Sequence, residues 1–395
     1  MTRSTAMTTG GCLLALLLCA AARCGEGGVK TRKITGDTTF EEELEVKAGE
    51  KLVVAPGVGL KFAPGVGVTC RGVLEIKGTA DKPVSFSARD PNVGWANILL
   101  LGAKTAGSVI EHCEFTGGRS RRLKFGPKGE FKGIAGKQRG NEKKNSLECG
   151  GALFAYMAKE VTIRNCLFRG NRAFWGGAVS CWAGATPLVE RCRFEKNTAF
   201  WGGGVHCWGR SPATIRLCYF ADNAGDKENG DAGAVQFMNA SDGRVEHCYF
   251  TRNVARWGGA IHVLQQSKPV ICGNYFAGNR AWNNSSAISC FGYASPTISG
   301  NYICDNHVEA DKGVAIATVA HSQPVLKGNY IRGNTNRKAK QANLSACPEF
   351  RGKPDRSTCA ETGPAGKEKV LEALKKAGVL DLVPKPAGAG KGAGQ

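Results

Sequence analysis

The chain has 395 residues, and its 53 lysine and arginine residues against 33 acidic ones give a formal net charge of +20. A compact protein of this length would form one large or two medium domains, whereas a chain of repeated coils needs no second core. An apolar run at the amino terminus is only about ten residues long, which is too short to cross a bilayer, so no transmembrane span is predicted.

The first 22 residues have the features of a signal peptide. Arg3 precedes the apolar run, and Ala20 to Ala22 supply a small-residue cleavage site. Lipidation of Cys24 is the alternative, although Arg23 stands where a small residue would be needed. We therefore expect a protein that is secreted, periplasmic or at the surface of a bacterium, with residues 23–43 as a lead-in. Export also argues against nucleic acid as a partner.

A short phrase of Phe or Ile, two variable residues and Asn returns seven times. Its asparagines are Asn171, Asn197, Asn223, Asn253, Asn279, Asn306 and Asn334, at intervals of 26 to 30 residues. Most of them are followed by two small residues, an alanine and an aliphatic residue, as in Gly176 to Val179. Repeats with such a period indicate a solenoid, in which each repeat is one structural unit.

Within each repeat, alternating stretches such as Val161 to Ile163 are separated by glycine, asparagine and proline turns. Alternation with a period of two predicts strands with one buried face. No convincing helical pattern occurs between residues 44 and 334, so each strand should pair with the equivalent strand of the next repeat. The sequence predicts an all-β solenoid over residues 44–336, with three strands in each of about ten coils.

The repeated phrases resemble the FxxN and GGA(I/L/V) repeats of the chlamydial polymorphic outer-membrane proteins and, more broadly, bacterial right-handed parallel β-helix proteins. The segments Leu52 to Phe62, Gly72 to Ile76 and Gly78 to Phe86 look like the first coils of the second group. The resemblance implies a single-stranded, right-handed parallel β-helix with the pectate-lyase-like fold. It implies no one function, because this fold hosts lyases, hydrolases, epimerases, adhesins and inert scaffolds.

Alternation in the strand after the glycines sends Val179 and Cys181 inward and Ser180 and Trp182 outward. Carried along the repeats, this register predicts two adjacent outward columns. The polar column contains Ser180, His206, Gln236, His262 and Ser289, and the apolar column contains Trp182, Trp208, Met238, Leu264 and Phe291, with Phe154 and Tyr156 extending the two. Exposed rings beside polar groups are typical of a sugar-binding groove.

An alternative is that loops cover both columns and turn them into a second small core. Trp175, Trp201 and Trp257, each placed just before the paired glycines, could supply that cover.

His206 and His262, together with Arg210, are the candidate catalytic residues. A polysaccharide lyase could use a histidine base and a cation that neutralises a uronate or sulfated sugar. The histidines lie two coils apart, about 9.6 Å, and cannot share a metal ion. A hydrolase would need two facing carboxylates, and neither column has one. A lyase or related carbohydrate-active enzyme is thus one alternative to binding, and a structural or adhesive surface protein is another.

Residues 119–148 interrupt the repeat and carry ten basic residues against three acidic ones. We interpret them as a loop outside the coils. The loop is either simply solvated, or it binds an acidic polymer through Arg121, Arg122 and Lys124. With the aromatic column, this loop predicts a monomer that binds an acidic polysaccharide or a cell-surface glycan.

Most cysteines occupy repeated positions. One position holds Cys166, Cys192, Cys218 and Cys248, and another holds Cys181, Cys207 and Cys290. Parallel neighbours are about 4.8 Å apart, whereas the Cβ atoms of a disulfide are about 3.8 Å apart, so we expect free buried thiols. Cys347 and Cys359 are the expected disulfide pair. No metal is predicted, except that residues 226–231 could hold Ca²⁺, with a plain turn as the alternative.

The repeat ends at Asn334. Residues 337–366 are a polar connector, and residues 380–395 are expected to be disordered. Between them, residues 367–379 predict an amphipathic helix with Leu371 and Leu374 on one face and Gly378 as its stop. We expect this helix to cap the open end of the solenoid, where unpaired strand edges would invite aggregation.

Overall fold

The computed structural model describes residues 29–126, 131–134, 146–338, 365–376 and 378–383. In these residues the chain winds into a right-handed parallel β-helix of about ten coils, with a short helix near the carboxyl terminus, which confirms the predicted fold class. The expected signal peptide, the Cys347–Cys359 pair and most of the expected tail lie outside the described residues. No helix within the described part is long and apolar enough to span a membrane.

Two of the four long parallel sheets have eleven strands each. The strands of sheet A are Lys30–Ile34, Glu50–Val54, Val73–Lys77, Val109–Glu111, Thr162–Arg164, Leu188–Glu190, Thr214–Arg216, Arg244–Glu246, Val270–Cys272, Thr297–Ser299 and Val325–Lys327. The strands of sheet B are Thr38–Phe40, Gly59–Phe62, Val84–Ala88, Cys113–Thr116, Leu167–Arg169, Arg193–Glu195, Tyr219–Ala221, Tyr249–Thr251, Tyr275–Ala277, Tyr302–Cys304 and Tyr330–Arg332.

The other two long sheets have ten and seven strands. The strands of sheet C are Leu44–Val46, Val68–Cys70, Ile98–Leu101, Leu153–Tyr156, Val179–Trp182, Val205–Trp208, Val235–Met238, Ile261–Leu264, Ser285–Phe291 and Val314–Val319. The strands of sheet D are Arg172–Trp175, Thr198–Trp201, Ala224–Gly225, Val254–Ala255, Arg280–Ala281, His307–Val308 and Thr335–Asn336. A later coil runs through sheets A, B, D and C in that order. The helical segments are Ala103–Thr105 (3-10), Ala365–Lys376 (α) and Leu380–Leu382 (3-10).

Phenylalanines from successive coils stack into one column inside the solenoid. The rings of Phe115, Phe168, Phe194, Phe220, Phe250 and Phe276 are fully buried. Neighbouring ring centroids are 4.6 to 4.9 Å apart. This is the spacing of hydrogen-bonded strands, so pairing of the backbone and stacking of the rings favour the same register.

The repeated asparagines form a second internal column at the turn between sheets B and D. The side-chain amide of Asn197 donates to Oδ1 of Asn223 at 2.9 Å and to the carbonyl oxygen of Phe168 at 2.9 Å. Asn223 repeats the pattern with Asn253 and Phe194. All seven side chains are fully buried. Each buried amide is therefore satisfied by the neighbouring coils, as a buried polar group requires.

The twelve described cysteines are free thiols, as expected from their positions in the repeat. The position that holds Cys248 holds Asn274 in the next coil, where the Asn274 side-chain oxygen accepts the Cys248 backbone N–H at 2.8 Å. Among the described residues, no group of three or more His, Cys, Asp and Glu side chains could hold a metal ion.

Charges of alternating sign run along the outer face of sheet A. In register from coil to coil, the column is Lys77, Glu111, Arg164, Glu190, Arg216 and Glu246. Arg164 contacts Glu111 at 2.8 Å and Arg216 contacts Glu190 at 2.7 Å. Most of these charges are thus paired between coils.

Part of the basic segment forms a small sheet that packs against the coils, which corrects the expectation of a solvated loop. The strands Arg122–Phe125, Phe131–Ile134 and Ser146–Glu148 make a small antiparallel sheet, here called the cover sheet. Leu123 of this sheet is fully buried in a cluster with Phe154, Tyr156 and Trp182 of sheet C. The cover sheet folds onto the solenoid because it shields these rings from water.

The C-terminal helix packs against the side of the solenoid and not over its open end. Leu374 and Val379 are buried in a cluster with Tyr275, Tyr302 and Tyr330 of sheet B. Those tyrosines form an outward ladder, with ring centroids 4.9 and 4.7 Å apart. The ladder offers a long apolar surface, and this explains why the expected position at the end of the solenoid is wrong.

Candidate functional site

A tight turn between sheets D and C shapes the outer surface of sheet C. Gly176 and Gly202 have φ angles of 69° and 71°. A Cβ atom on Gly176 would lie 2.3 Å from the carbonyl oxygen of Val179, so only glycine fits. The turn brings the preceding tryptophan back over sheet C, and the ring of Trp175 lies 5.0 Å from that of His206.

The polar column is consequently buried. Ser180, His206, Gln236 and Ser289 have no exposed surface, and His262 is 2% exposed. The sequence predicted that these side chains point away from the main core, and they do, but into a second enclosed layer beneath the tryptophans. The expectation that they are exposed is therefore wrong.

Most of the apolar column is also covered. Tyr156 and Trp182 are buried beside Leu123 and Phe125 of the cover sheet, Met238 and Leu264 are buried, and Trp208 is partly buried. The ring centroids of Phe125 and Trp182 are 5.4 Å apart. The predicted exposed stripe is wrong for these residues, and the alternative of a small core covered by tryptophans describes them better. Phe291 alone among the named members of the column is well exposed, at 38%.

Several polar atoms in this enclosed layer lack hydrogen-bond partners among the described residues. They are Nε1 of Trp175 and Trp201, Nε2 of His206, Oε1 of Gln236, both ring nitrogens of His262 and Oγ of Ser289. Nδ1 of His206 does have neighbours, with Oγ of Ser180 and Nε1 of Trp182 each at 3.3 Å. Burial lowers the pKa of His206 and of His262 to about 3. Both imidazoles are therefore neutral near pH 7.

Asp231, which the sequence placed only in a possible Ca²⁺-binding segment, is a member of this site. It stands four residues before Val235, as Trp201 and Trp257 stand four residues before the equivalent positions of their coils. Its Oδ2 atom accepts a hydrogen bond from Nε2 of Gln236 at 3.1 Å. Burial raises its pKa to about 6. The available signal was a carboxylate in the position that holds Trp175, Trp201 and Trp257 in three other coils.

Arg210, the predicted cationic partner of the histidines, lies at the turn after sheet C and is exposed. His206 and His262 are closed off from solvent. The three candidate catalytic residues thus do not share one accessible surface.

The predicted contacts of the basic segment have different environments. Arg121 is buried, and its guanidinium donates to Glu43 Oε2 at 2.6 Å and to the Asn97 carbonyl oxygen at 2.6 Å. The expected role of Arg121 as a contact for a polymer is therefore wrong, because its donors are used inside the protein. Arg122 is half-exposed and pairs with Glu148 at 3.1 Å, and Lys124 is exposed.

An exposed aromatic surface occurs instead in the C-terminal coils. Phe291 and Tyr293 are 38% and 60% exposed. The ring of Trp257 lies 6.3 Å from that of Phe291. Gln265 and Gln266, also exposed, are joined to the next coil by backbone hydrogen bonds to Phe291 and Gly292. We call these five residues, Trp257, Gln265, Gln266, Phe291 and Tyr293, the aromatic patch.

The sequence matches the family model described as "Right handed beta helix region" over residues 96–275 and again over residues 237–346. No curated protein matches at a significant level.

Three of the similar solved structures illustrate how far the likeness extends. An alginate lyase from Paenibacillus sp. str. FPU-7 is 14% identical with a TM-score of 0.31, covering 74% of this chain and 93% of its own. A mutant of the periplasmic alginate epimerase AlgG is 12% identical with a TM-score of 0.39, covering 78% of this chain and 68% of its own. The Streptococcus pneumoniae surface protein and adhesin PfbA is 10% identical with a TM-score of 0.34, covering 80% of this chain and 91% of its own. These likenesses carry no argument about activity. Because the family model covers more than half of the sequence, the chain belongs to the right-handed β-helix family.

Proposed function

We propose that the protein is an exported β-helix protein that binds a glycan through the aromatic patch. The observation that carries this proposal is the exposure of Phe291 and Tyr293, at 38% and 60%, on a face where Tyr156 and Trp182, which align with Phe291 in earlier coils, are covered. Neighbouring exposed rings that form one apolar surface often mark an interaction site. Aromatic rings are suited to sugars because they pack against the apolar faces of pyranoses.

The neighbouring side chains support the same chemistry. Gln265 and Gln266 bring amide groups that can both donate and accept hydrogen bonds, as sugar hydroxyls require. Gln265 and Gln266 lie one coil, about 4.8 Å, before Phe291 and Tyr293, so the rings and the amide groups can contact one sugar. The net charge of +20 favours an acidic glycan over a neutral one.

Binding is a better proposal than a lyase reaction at the predicted histidines. His206 and His262 are buried, and their pKa values of about 3 make them weak bases. A polymer could reach His206 only if the ring of Trp175, 5.0 Å from the imidazole, moved away.

A binding experiment on the full chain tests the proposal. Wild type and the double variant F291A/Y293A would be titrated against a panel of acidic and neutral polysaccharides. Loss of the two ring contacts should weaken binding about tenfold or more, since each stacking contact contributes about 0.5–1.5 kcal/mol. Met157→Ala is the matched control, because Met157 is 48% exposed at the equivalent turn of an earlier coil.

Unchanged affinity in F291A/Y293A would contradict the proposal. Ultraviolet absorbance of unsaturated sugar products, followed in the same samples, distinguishes binding from turnover. Product formed by wild type and lost in His262→Ala would favour the lyase alternative instead.

A further inference from the structure

Arg119 and Arg172 lie side by side on the outer surface. A parallel bridge pairs the two residues, which places their Cα atoms about 4.8 Å apart. Arg119 is the residue at which the basic segment leaves the coil, and Arg172 opens the first strand of sheet D. The pairing of the backbone therefore makes these two arginine side chains neighbours on adjacent coils.

Neither arginine has an acidic partner within the described ranges. Nη1 of Arg119 donates only to the carbonyl oxygens of Gly118 and Gly170, at 3.1 and 3.0 Å. Elsewhere the solenoid pairs such residues, as Arg169 pairs with Glu195 at 2.8 Å. Burial and the positive charge of Arg172 lower the pKa of Arg119. Two like charges directly opposite each other are destabilising, and a bound anion would remove that cost.

An exposed ring stands beside this pair. Phe174 is 39% exposed and lies two residues after Arg172, on the same face of the strand. Its ring is stacked on that of Phe200, with centroids 4.6 Å apart and planes 6° from parallel. Thr198, the exposed neighbour of Arg172 in the next coil, adds a hydroxyl group.

We infer that Arg119 and Arg172 form an oxyanion site for the carboxylate or sulfate group of an acidic saccharide, whose ring packs against Phe174. Guanidinium groups match these oxyanions because their N–H donors form two parallel hydrogen bonds to a pair of oxygens. The site uses none of the residues of the aromatic patch, so it can be present or absent independently of the function proposed above.

Three polymers with one backbone test the inference on the full chain: dextran, carboxymethyl-dextran and dextran sulfate. Wild type should bind at least one charged polymer and not dextran, and comparison of the two charged polymers shows which group is preferred. Arg172→Gln should weaken that binding about tenfold, the effect of losing one hydrogen-bonded ion pair. Arg216→Gln, which removes an arginine paired with Glu190, should bind as wild type does.

Arg172→Glu gives a second readout that a merely structural arginine would not produce. This change replaces a like-charge pair with an opposite-charge pair, so thermal unfolding should move to higher temperature while binding of the charged polymers is lost. Wild-type affinity in Arg172→Gln and Arg172→Glu, or equal binding of dextran, would overturn the inference. Loss of binding in these variants, with F291A/Y293A unaffected, would support the oxyanion site and reject the aromatic patch.

Discussion

Oδ2 of Asp231 lies 3.7 Å from Nδ1 of His262, and neither side chain has more than 13% of its surface exposed. Burial favours the neutral form of each group: it raises the pKa of Asp231 to about 6 and lowers that of His262 to about 3. The two groups therefore make opposite contributions to the pH dependence of stability.

The first prediction is that the protein loses stability in acid through its buried histidines. His206 and His262 bind fewer protons when folded than when unfolded between pH 3 and 6.5. The free energy of unfolding should therefore fall with falling pH in that window, by about 1.4 kcal/mol per pH unit for each histidine. Denaturant unfolding at a series of pH values measures this slope.

Single variants separate the contributions of His262 and Asp231 to the pH dependence of stability. His262→Gln should make the slope shallower. Asp231 has its pKa raised from 3.8 to about 6, so its contribution is present at low pH and is lost as pH rises through 6. Asp231→Asn should remove this compensation and steepen the loss of stability between pH 6 and 4. Wild-type slopes in both variants would contradict the burial of these side chains.

The second prediction concerns the phenylalanine column. The ring of Phe220 is fully buried between Phe194 and Phe250, at centroid distances of 4.6 and 4.8 Å. Phe220→Ala should lower the free energy of unfolding by about 3 to 5 kcal/mol, since it empties a large volume that stacked coils cannot close. Thermal unfolding that matches wild type would show that the column is not a packed core.

A third prediction tests the hydrogen bonds of the asparagine column, because the substitution keeps the side-chain volume and removes the donors. In Asn223→Asp the side chain keeps its size but cannot donate to Oδ1 of Asn253 or to the carbonyl of Phe194. Two acceptors would then face each other in a buried site, and stability should fall by more than about 3 kcal/mol near neutral pH. Part of the loss should be recovered in acid, when the aspartate is protonated and can donate again. A loss that is independent of pH would contradict this explanation.

The fourth prediction distinguishes two adjacent arginines of the basic segment. Arg121→Met removes the guanidinium donors to Glu43 Oε2 and to the Asn97 carbonyl oxygen, which keep only the backbone N–H groups of Gly67 and Val68 as donors. It should cost about 2 to 3 kcal/mol, somewhat less than for a fully buried pair because the Glu43 side chain is 25% exposed. Arg122→Met is the matched control: its pair with Glu148 is 38% and 40% exposed, so the cost should stay below about 1 kcal/mol. Equal costs, measured by denaturant unfolding, would contradict the assigned environments.

The internal columns could be predicted from the sequence because each is a periodic property. A repeat that returns Phe and Asn at constant intervals can satisfy backbone pairing only if equivalent residues align, so Phe194 must neighbour Phe220 and Asn197 must neighbour Asn223. The free state of Cys192 and Cys218 followed from the same geometry, since strand spacing is too wide for a disulfide.

What covers the outer surface could be predicted only in part. Cover by Trp175, Trp201 and Trp257 was one of two alternatives, whereas the cover sheet comes from a segment that interrupts the repeat. Alternation showed correctly that His206 points away from the main core, but it could not decide between an exposed column and one that Trp175 covers through the Gly176 turn. The basic composition of residues 119–148 predicted a solvated loop and not the cover sheet. Arg122 and Lys124 belong to that basic composition, but Leu123 between them makes the contact with sheet C. Asp231 was assigned to a possible Ca²⁺ segment because its acidic neighbours suggested one, whereas its contacts with Gln236 and His262 depend on the alignment of its coil with the coils that hold Trp201 and Trp257.

The alternating charges of sheet A favour the correct pairing of coils, which the interior of the protein leaves ambiguous. The phenylalanine and asparagine columns are nearly the same in every coil, so they would accept a chain that had skipped one coil during folding. Such an error would bring Arg164 beside Arg216, or Glu190 beside Glu246, because the correct order alternates in sign. Like charges directly opposite each other are destabilising. The charges on the outer face of sheet A therefore favour the correct order of coils, which the repeated core residues alone do not specify.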